Sequence, residues 1–130
     1  CAFANALSVR EGLEPVYYFV MGQAESESVA LTEKTTETIW AVEVETDADG
    51  YRLPTEEEWE YACRAGTTTD TYNGDLIEGS QSEVLGEIAW YRENSDQRTH
   101  PVGEKKPNNW GLHDTLGNVW EWTQSPYRKE

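Results

Sequence analysis

The six residues Gly117-Asn118-Val119-Trp120-Glu121-Trp122 set two indoles, a carboxylate and an amide directly behind a glycine. That density narrows what the chain can fold into, because each indole carries a large apolar surface that water disfavours. At least one of Trp120 and Trp122 is therefore expected to be buried, with Glu121 held against a low-dielectric wall. A carboxylate in such a place needs a partner. Two arrangements satisfy this: both indoles are core while Glu121 caps a backbone or pairs with an arginine, or Glu121 ligates a cation.

The rest of the aromatic inventory points the same way. Six Trp and seven Tyr stand against two Phe and one Met, so the core must use amphipathic aromatics and short aliphatics. Buried indole N–H and phenol groups require hydrogen-bond partners, which favours an irregular, loop-rich fold over a helical bundle. A length of 130 residues suits a single domain spanning residues 1–130. The charge is lopsided, with 25 Asp and Glu, 10 Lys and Arg, and a formal net charge of −15. Phosphate binding needs clustered cations, and Lys105-Lys106 and Arg128-Lys129 do not make a basic stripe, so nucleic acid is not an expected partner. Acidity suits solubility, cation binding or attraction to basic ligands, and a protein or peptide ligand fits that list. No apolar run has the length of a membrane span. The chain opens on Cys1, not Met, and reads as helix at once, which carries the expectation of further sequence upstream; no compartment follows from this.

Residues 2–11 read as a helix, with Phe3 and Leu7 on its apolar side and Gly12 as C-cap. Cys1 and Cys63 are each expected on the apolar side of a helix as small buried thiols. Residues 16–21 read as a strand; residues 23–37 as a loop or exposed hairpin around Val29-Ala30-Leu31. From Ile39 to Glu45 the alternation implies a half-buried strand with Trp40, Val42 and Val44 on one face. Thr55 followed by Glu58 is a capping box, Trp59, Ala62 and Cys63 form the apolar stripe of the helix it opens, and Gly66 ends that helix. Arg52, just before this acidic helix start, is expected in an ion pair. Residues 66–86 read as a long surface loop with a turn at Asn73-Gly74-Asp75, residues 87–91 as a short strand, and residues 92–109 as loop again. His100 is expected to be a loop residue, and His113, beside Asp114, is a candidate for supporting a cation from outside its ligand shell.

For metal chemistry the candidate pair is Asp114 and Glu121, on either side of Gly117. Hard cations such as calcium take oxygens from carboxylates and from carbonyls on a turning backbone, and a glycine lets carbonyls turn inward. The spacing lacks the repeated acids of an EF-hand loop. There is no Gly-x-Ser-x-Gly, no phosphate loop and no Cys-x-x-Cys.

Two longer stretches carry a family resemblance. Asp114-Thr115-Leu116-Gly117-Asn118-Val119-Trp120-Glu121-Trp122, preceded by Pro107-Asn108-Asn109-Trp110-Gly111-Leu112, resembles the signature of the formylglycine-generating enzymes, or sulfatase-modifying factors. Gly50-Tyr51-Arg52-Leu53-Pro54-Thr55-Glu56-Glu57-Glu58-Trp59-Glu60-Tyr61-Ala62 is similar to that family's second hallmark. The resemblance implies an α+β fold, the irregular C-type lectin-like variant with few helices, short twisted strands and long loops. It also implies a structural calcium held by the side chains of Asp114 and Glu121 and the carbonyls of Gly117 and Val119. Asp114 stands where the family often has Asn, which keeps an oxygen ligand and adds charge. A second family calcium site, near Ile88-Ala89 and Asn94-Ser95-Asp96, lacks the expected side chains here.

In that family, oxygen and a copper held by two cysteines convert a sulfatase cysteine to formylglycine. Neither Cys1 nor Cys63 matches a copper-binding position, and a copper(I) site needs two close thiolates. Catalysis is therefore expected only if a segment beyond these residues supplies the pair. Two functions follow from the resemblance: a calcium-stabilised part of such an oxidase, or a non-catalytic binding module of the same fold, of the retroelement variable-protein or kinase-sensor type.

Overall fold

The computed structural model describes residues 1–21, 28–30, 39–79 and 81–125. They form three helices, α1 (Ala2–Glu11), α2 (Glu56–Arg64) and α3 (Gln81–Ile88), and three strands, β1 (Tyr17–Met21), β2 (Ser28–Ala30) and β3 (Ile39–Val44). The α+β class is as expected. No helix among the described residues is long and apolar enough to cross a membrane. The chain divides into two compact units, Cys1–Leu53 and Pro54–Glu130.

The first unit joins α1 to an antiparallel sheet of order β2-β1-β3. Strand β1 pairs with β3 from Tyr17↔Val44 to Met21↔Ile39, with an irregularity between Val20 and Met21. The helix ends as its glycine implies: Gly12 adopts φ 78°, and the amides of Gly12 and Leu13 bond back to Val9 and Ser8. Its buried face is another matter. Phe3 is 82% exposed, whereas Asn5 and Ser8 are fully buried. The Asn5 amide is paired at both ends, donating to the Tyr17 carbonyl at 2.6 Å and accepting from the Tyr17 amide at 3.0 Å. It thereby extends the ladder of β1 by one side-chain rung. Ser8 Oγ donates to Ala4 O at 2.9 Å and accepts from the Tyr51 amide at 2.7 Å. With both groups satisfied, burying them is no penalty. A Cβ at Gly50 would sit 2.1 Å from Glu14 O and 2.6 Å from Ser8 Oγ, so this crossing needs glycine. Cys1 is exposed, not buried, because the packed side of α1 is the one bearing Asn5 and Ser8. On β3, Val44 is half-buried but Val42 is exposed; the side chain of Trp40 and the residues around β2 expected as a loop or hairpin lie outside the described residues, apart from β2 itself.

The second unit begins with the capping box. Thr55 Oγ1 accepts from the Glu58 amide at 3.2 Å while Glu58 Oε2 accepts from the Thr55 amide at 2.9 Å, satisfying two donors of the helix start. The helix closes one residue earlier than expected, at Ala65 with φ 47°, ahead of Gly66 with φ 85°. Cys63 is buried as expected, in a core with Tyr72, Ile88 and Ala89, against which Trp59, Tyr91 and Leu116 pack. The turn near Asn73 is present as a Thr71↔Gly74 bridge. Helix α3 corrects the loop expected to run to residue 86 and the strand expected over 87–91. Val84, Leu85 and Ile88 stand at helical spacing, but the polar stretch before them and Gly86 within it obscure the pattern. Of the expected strand, what remains is one parallel bridge, Trp90↔Gly117.

Candidate metal and aromatic site around Gly117

The loop that carries the site is built on two asparagines. Asn108 is 5% exposed. Its Oδ1 accepts from the amides of Trp110 at 3.0 Å and Leu112 at 3.1 Å, which folds residues 108–112 into a tight turn. Its Nδ2 donates to the carbonyls of Ala62 at 2.7 Å and Cys63 at 3.1 Å. These are carbonyls of the last turn of α2, which lack partners within the helix. One side chain thus closes the turn and caps the helix. Asn118, at φ 59°, does the equivalent further on: its amide side chain accepts from His100 N at 3.0 Å and donates to His100 O at 3.1 Å.

Between them the backbone turns sharply, with positive φ at Asp114 (55°), Gly117 (85°) and Asn118 (59°). Gly117 lies against the main chain of Trp90, where a Cβ would meet Trp90 O at 2.3 Å, and Asn118 N donates to that same oxygen at 2.7 Å. The Trp90 indole is stacked on His100, centroids 3.8 Å apart and planes 12° from parallel. The Lys105 ammonium lies 3.8 Å from the centroid of the same indole and donates to the Gly86 carbonyl of α3. His100 is thus more than a loop residue: it clamps an indole, and its Nε2 donates to Ser95 O at 2.9 Å.

The expected ligands fall as follows. Asp114 Oδ2 accepts from the Gly103 amide at 2.7 Å. Glu121 Oε2 accepts from the indole N–H of Trp59, on α2, at 2.5 Å. The Gly117 carbonyl accepts from Val119 N at 2.8 Å. Each carboxylate is therefore oriented by one N–H, Asp114 by a turn amide and Glu121 by an indole. Among the described residues no group of three or more His, Cys, Asp or Glu side chains could hold a metal ion, so a cation here would rely on two carboxylates and main-chain oxygens. His113 Nδ1 donates to Lys105 O at 2.8 Å, which locks its ring to the neighbouring strand of loop. Arg52 Nη1 donates to Leu53 O at 3.1 Å.

The indoles of the Trp-Glu-Trp stretch are not core. Trp120 is 100% and Trp122 84% exposed. Glu121 between them is exposed as well, although its carboxylate reaches the indole N–H of the half-buried Trp59. The tryptophan that meets Glu121 is Trp59, read from sequence as part of the apolar stripe of its helix. Deeper in, burial pushes the Tyr72 phenol above its ordinary value, with the Cys63 thiol and the Asp114 carboxylate adding to the rise; its hydroxyl is held by Lys106 O at 2.9 Å. Sequence reasoning missed Asn108, Asn118, Trp90 and Lys105 as site builders. Asn beside glycine-bearing turns was the available signal for the first two; the Trp90 stack had none, because it depends on contacts between distant loops.

Comparison with known proteins places these features in a family. Chaperone protein LppX of Paenibacillus barcinonensis is 31% identical over 98% of this chain and 50% of its own length. The formylglycine-generating enzyme of Mycobacterium tuberculosis is 42% identical over 60% of this chain and 28% of its own. Among solved structures, Treponema denticola variable protein 1 superposes with a TM-score of 0.73 at 36% identity, covering 94% of this chain and 44% of that one. The chain spans about half the length, or less, of these relatives. The family described as the sulfatase-modifying factor enzyme 1-like domain matches from residue 1 to residue 130, and with the Asn-anchored turn and the capped acidic helix both in place, this chain belongs to that family.

Proposed function

We propose that residues 1–130 form part of a single formylglycine-generating-enzyme-like domain of the C-type lectin-like variant, in which the turn around Gly117 is the calcium-stabilised scaffold. The observation that carries this reading is the pair of carboxylates flanking a backbone with positive φ at Asp114, Gly117 and Asn118, each carboxylate oriented by one N–H donor. Ligating carboxylates are commonly fixed in this way by neighbours outside the ligand shell, and a carboxylate oxygen that accepts one hydrogen bond retains a lone pair for a cation. Asp114 and Glu121 would supply side-chain oxygens, Gly117 and Val119 carbonyls, and solvent the remainder of the six to eight that calcium takes. The ion would neutralise charge in a chain of net −15 and tie the loop to α2 through Glu121 and Trp59. Sulfatase modification by a longer protein containing this chain would draw on copper bound by cysteines other than Cys1 and Cys63; in this chain the Cys63 thiol is committed to the core and to Thr115 O at 3.8 Å.

The test is a thermal melt of the chain with and without millimolar calcium. A ligand that binds the native state raises the melting temperature, by the equivalent of about 2.7 kcal/mol at a hundredfold excess over Kd. The rise is expected in the native sequence and absent in Glu121→Ala; an equal response in both defeats the calcium reading.

A second reading is a non-catalytic binding module of the same fold. The likeness to Treponema denticola variable protein 1 over 94% of this chain supports it. A single-turnover assay for formylglycine on the longer protein separates the two: product favours the oxidase, its absence with copper and oxygen supplied favours the module.

A further inference from the structure

Away from the Gly117 turn, Asn73-Gly74 is the single Asn-Gly pair in the chain. Asparagine is a chemically labile residue, most of all before glycine, where no Cβ hinders approach of the next main-chain nitrogen to Cγ. Both residues are half-buried, in the turn closed by the Thr71↔Gly74 bridge. The nucleophile of the pair is committed, because Gly74 N donates to Thr71 O at 3.1 Å. So is the electrophile. Asn73 Nδ2 donates to Val84 O at 3.2 Å and to Glu87 Oε2 at 3.0 Å, both on α3, while Oδ1 accepts from Lys106 Nζ at 2.7 Å. Lys106 Nζ and Glu87 Oε2 complete the ring at 3.8 Å.

We propose that Asn73 is a deamidation site gated by this network, protected while Thr71, Glu87 and Lys106 hold it and reactive when the turn opens. In the reaction Gly74 N attacks Asn73 Cγ, forming the N–Cγ bond of a five-membered succinimide. The Cγ–Nδ2 bond breaks, and Nδ2 leaves as ammonia with the proton that Gly74 N gives up through solvent. Water then opens the imide at either carbonyl, giving an aspartyl or an isoaspartyl residue with no change of oxidation state. Such a step needs the two atoms brought together in one geometry. A Gly74 N–H bonded to Thr71 O reaches Cγ only by breaking that bond, and an amide held by three partners does not turn to meet it. The product sets a carboxylate against Glu87 and removes both Nδ2 donations to α3. Each opening that goes to completion therefore leaves a lasting mark and loosens the turn from the helix. Nothing in this depends on calcium or copper, so it stands apart from both readings above.

The test incubates the full chain at mildly alkaline pH in EDTA and follows residue 73 by peptide mass, where an acid replaces an amide. The same chain in guanidinium chloride is the open reference. Conversion at Asn73 is expected in the denaturant and should be at least about tenfold slower in the folded chain, since it must wait for local opening. The double variant Glu87→Ala/Lys106→Ala should speed the folded chain's reaction about fivefold while the melting temperature holds, because an exposed ion pair contributes little to stability. Lys106→Met alone, which keeps the stem and drops the ammonium, should act in the same direction and serves if the double variant melts early. Absence of conversion in the denaturant, equal rates in the folded and open chains, or a folded-state rate unchanged by these substitutions overturns the proposal.

Discussion

Helix α1 and the Trp-Glu-Trp segment invert the usual distribution of residues in opposite senses. On α1 an asparagine and a serine are fully buried while Phe3 faces solvent. On the segment two tryptophans face solvent, and the exposed glutamate between them is held by the indole N–H of Trp59. In both places the group held in place is the one with a matching hydrogen-bond partner, whether buried as Asn5 is or exposed as Glu121 is. Asn5 offers a donor and an acceptor to the two main-chain groups of Tyr17. Glu121 offers an acceptor to an indole N–H that packing against the core has partly removed from water. A residue's hydropathy sets what burial is worth, but an unmet partner costs as much as a buried side chain gains, so pairing decides the direction.

The strongest way to sharpen this is to disturb the frame that holds the paired groups. Gly117→Ala should destabilise by about 4 kcal/mol, combining a positive-φ penalty with a clash against the main chain of Trp90; urea unfolding measures it. Asn5→Leu tests the sign of the effect. If hydropathy governed α1, leucine would stabilise; if pairing governs, the Tyr17 N–H and C=O are stranded and stability falls by about 3 kcal/mol in the same assay. Thr55→Ala removes a cap whose partner survives at the helix edge, and about 1 kcal/mol should be lost. Trp120→Ala should shift stability by less than about 0.5 kcal/mol, since its ring makes no contact that folding created. A loss of several kcal/mol there would show that the indole packs in solution and would break the comparison.

Much of the local structure was legible. The capping box at Thr55–Glu58, the Gly12 end of α1, strands β1 and β3 and the burial of Cys63 all rest on interactions between near neighbours, and short sequence patterns report those. Helix α3 was harder, because Gly86 and the polar residues before it dilute a stripe that packing on Tyr72 and Ala89 makes worthwhile. The site divides along the same line. Gly117 and the acidic residues around it were visible as chemistry, but the partners of Asp114 and Glu121 were not. Gly103 lies 11 residues from Asp114 and Trp59 lies 62 from Glu121, and no local pattern encodes such pairings.

By itself the sequence determined the family, the α+β class, the acid balance and the residues able to turn or cap the chain, since each follows from residue type and near-neighbour spacing. Which side chains face inward was settled by the tertiary structure. Asn5 and Ser8 went inside while Trp120, Glu121 and Trp122 stayed outside, because a buried polar group is tolerable only when a partner arrives from elsewhere in the chain, as Tyr17 does for Asn5.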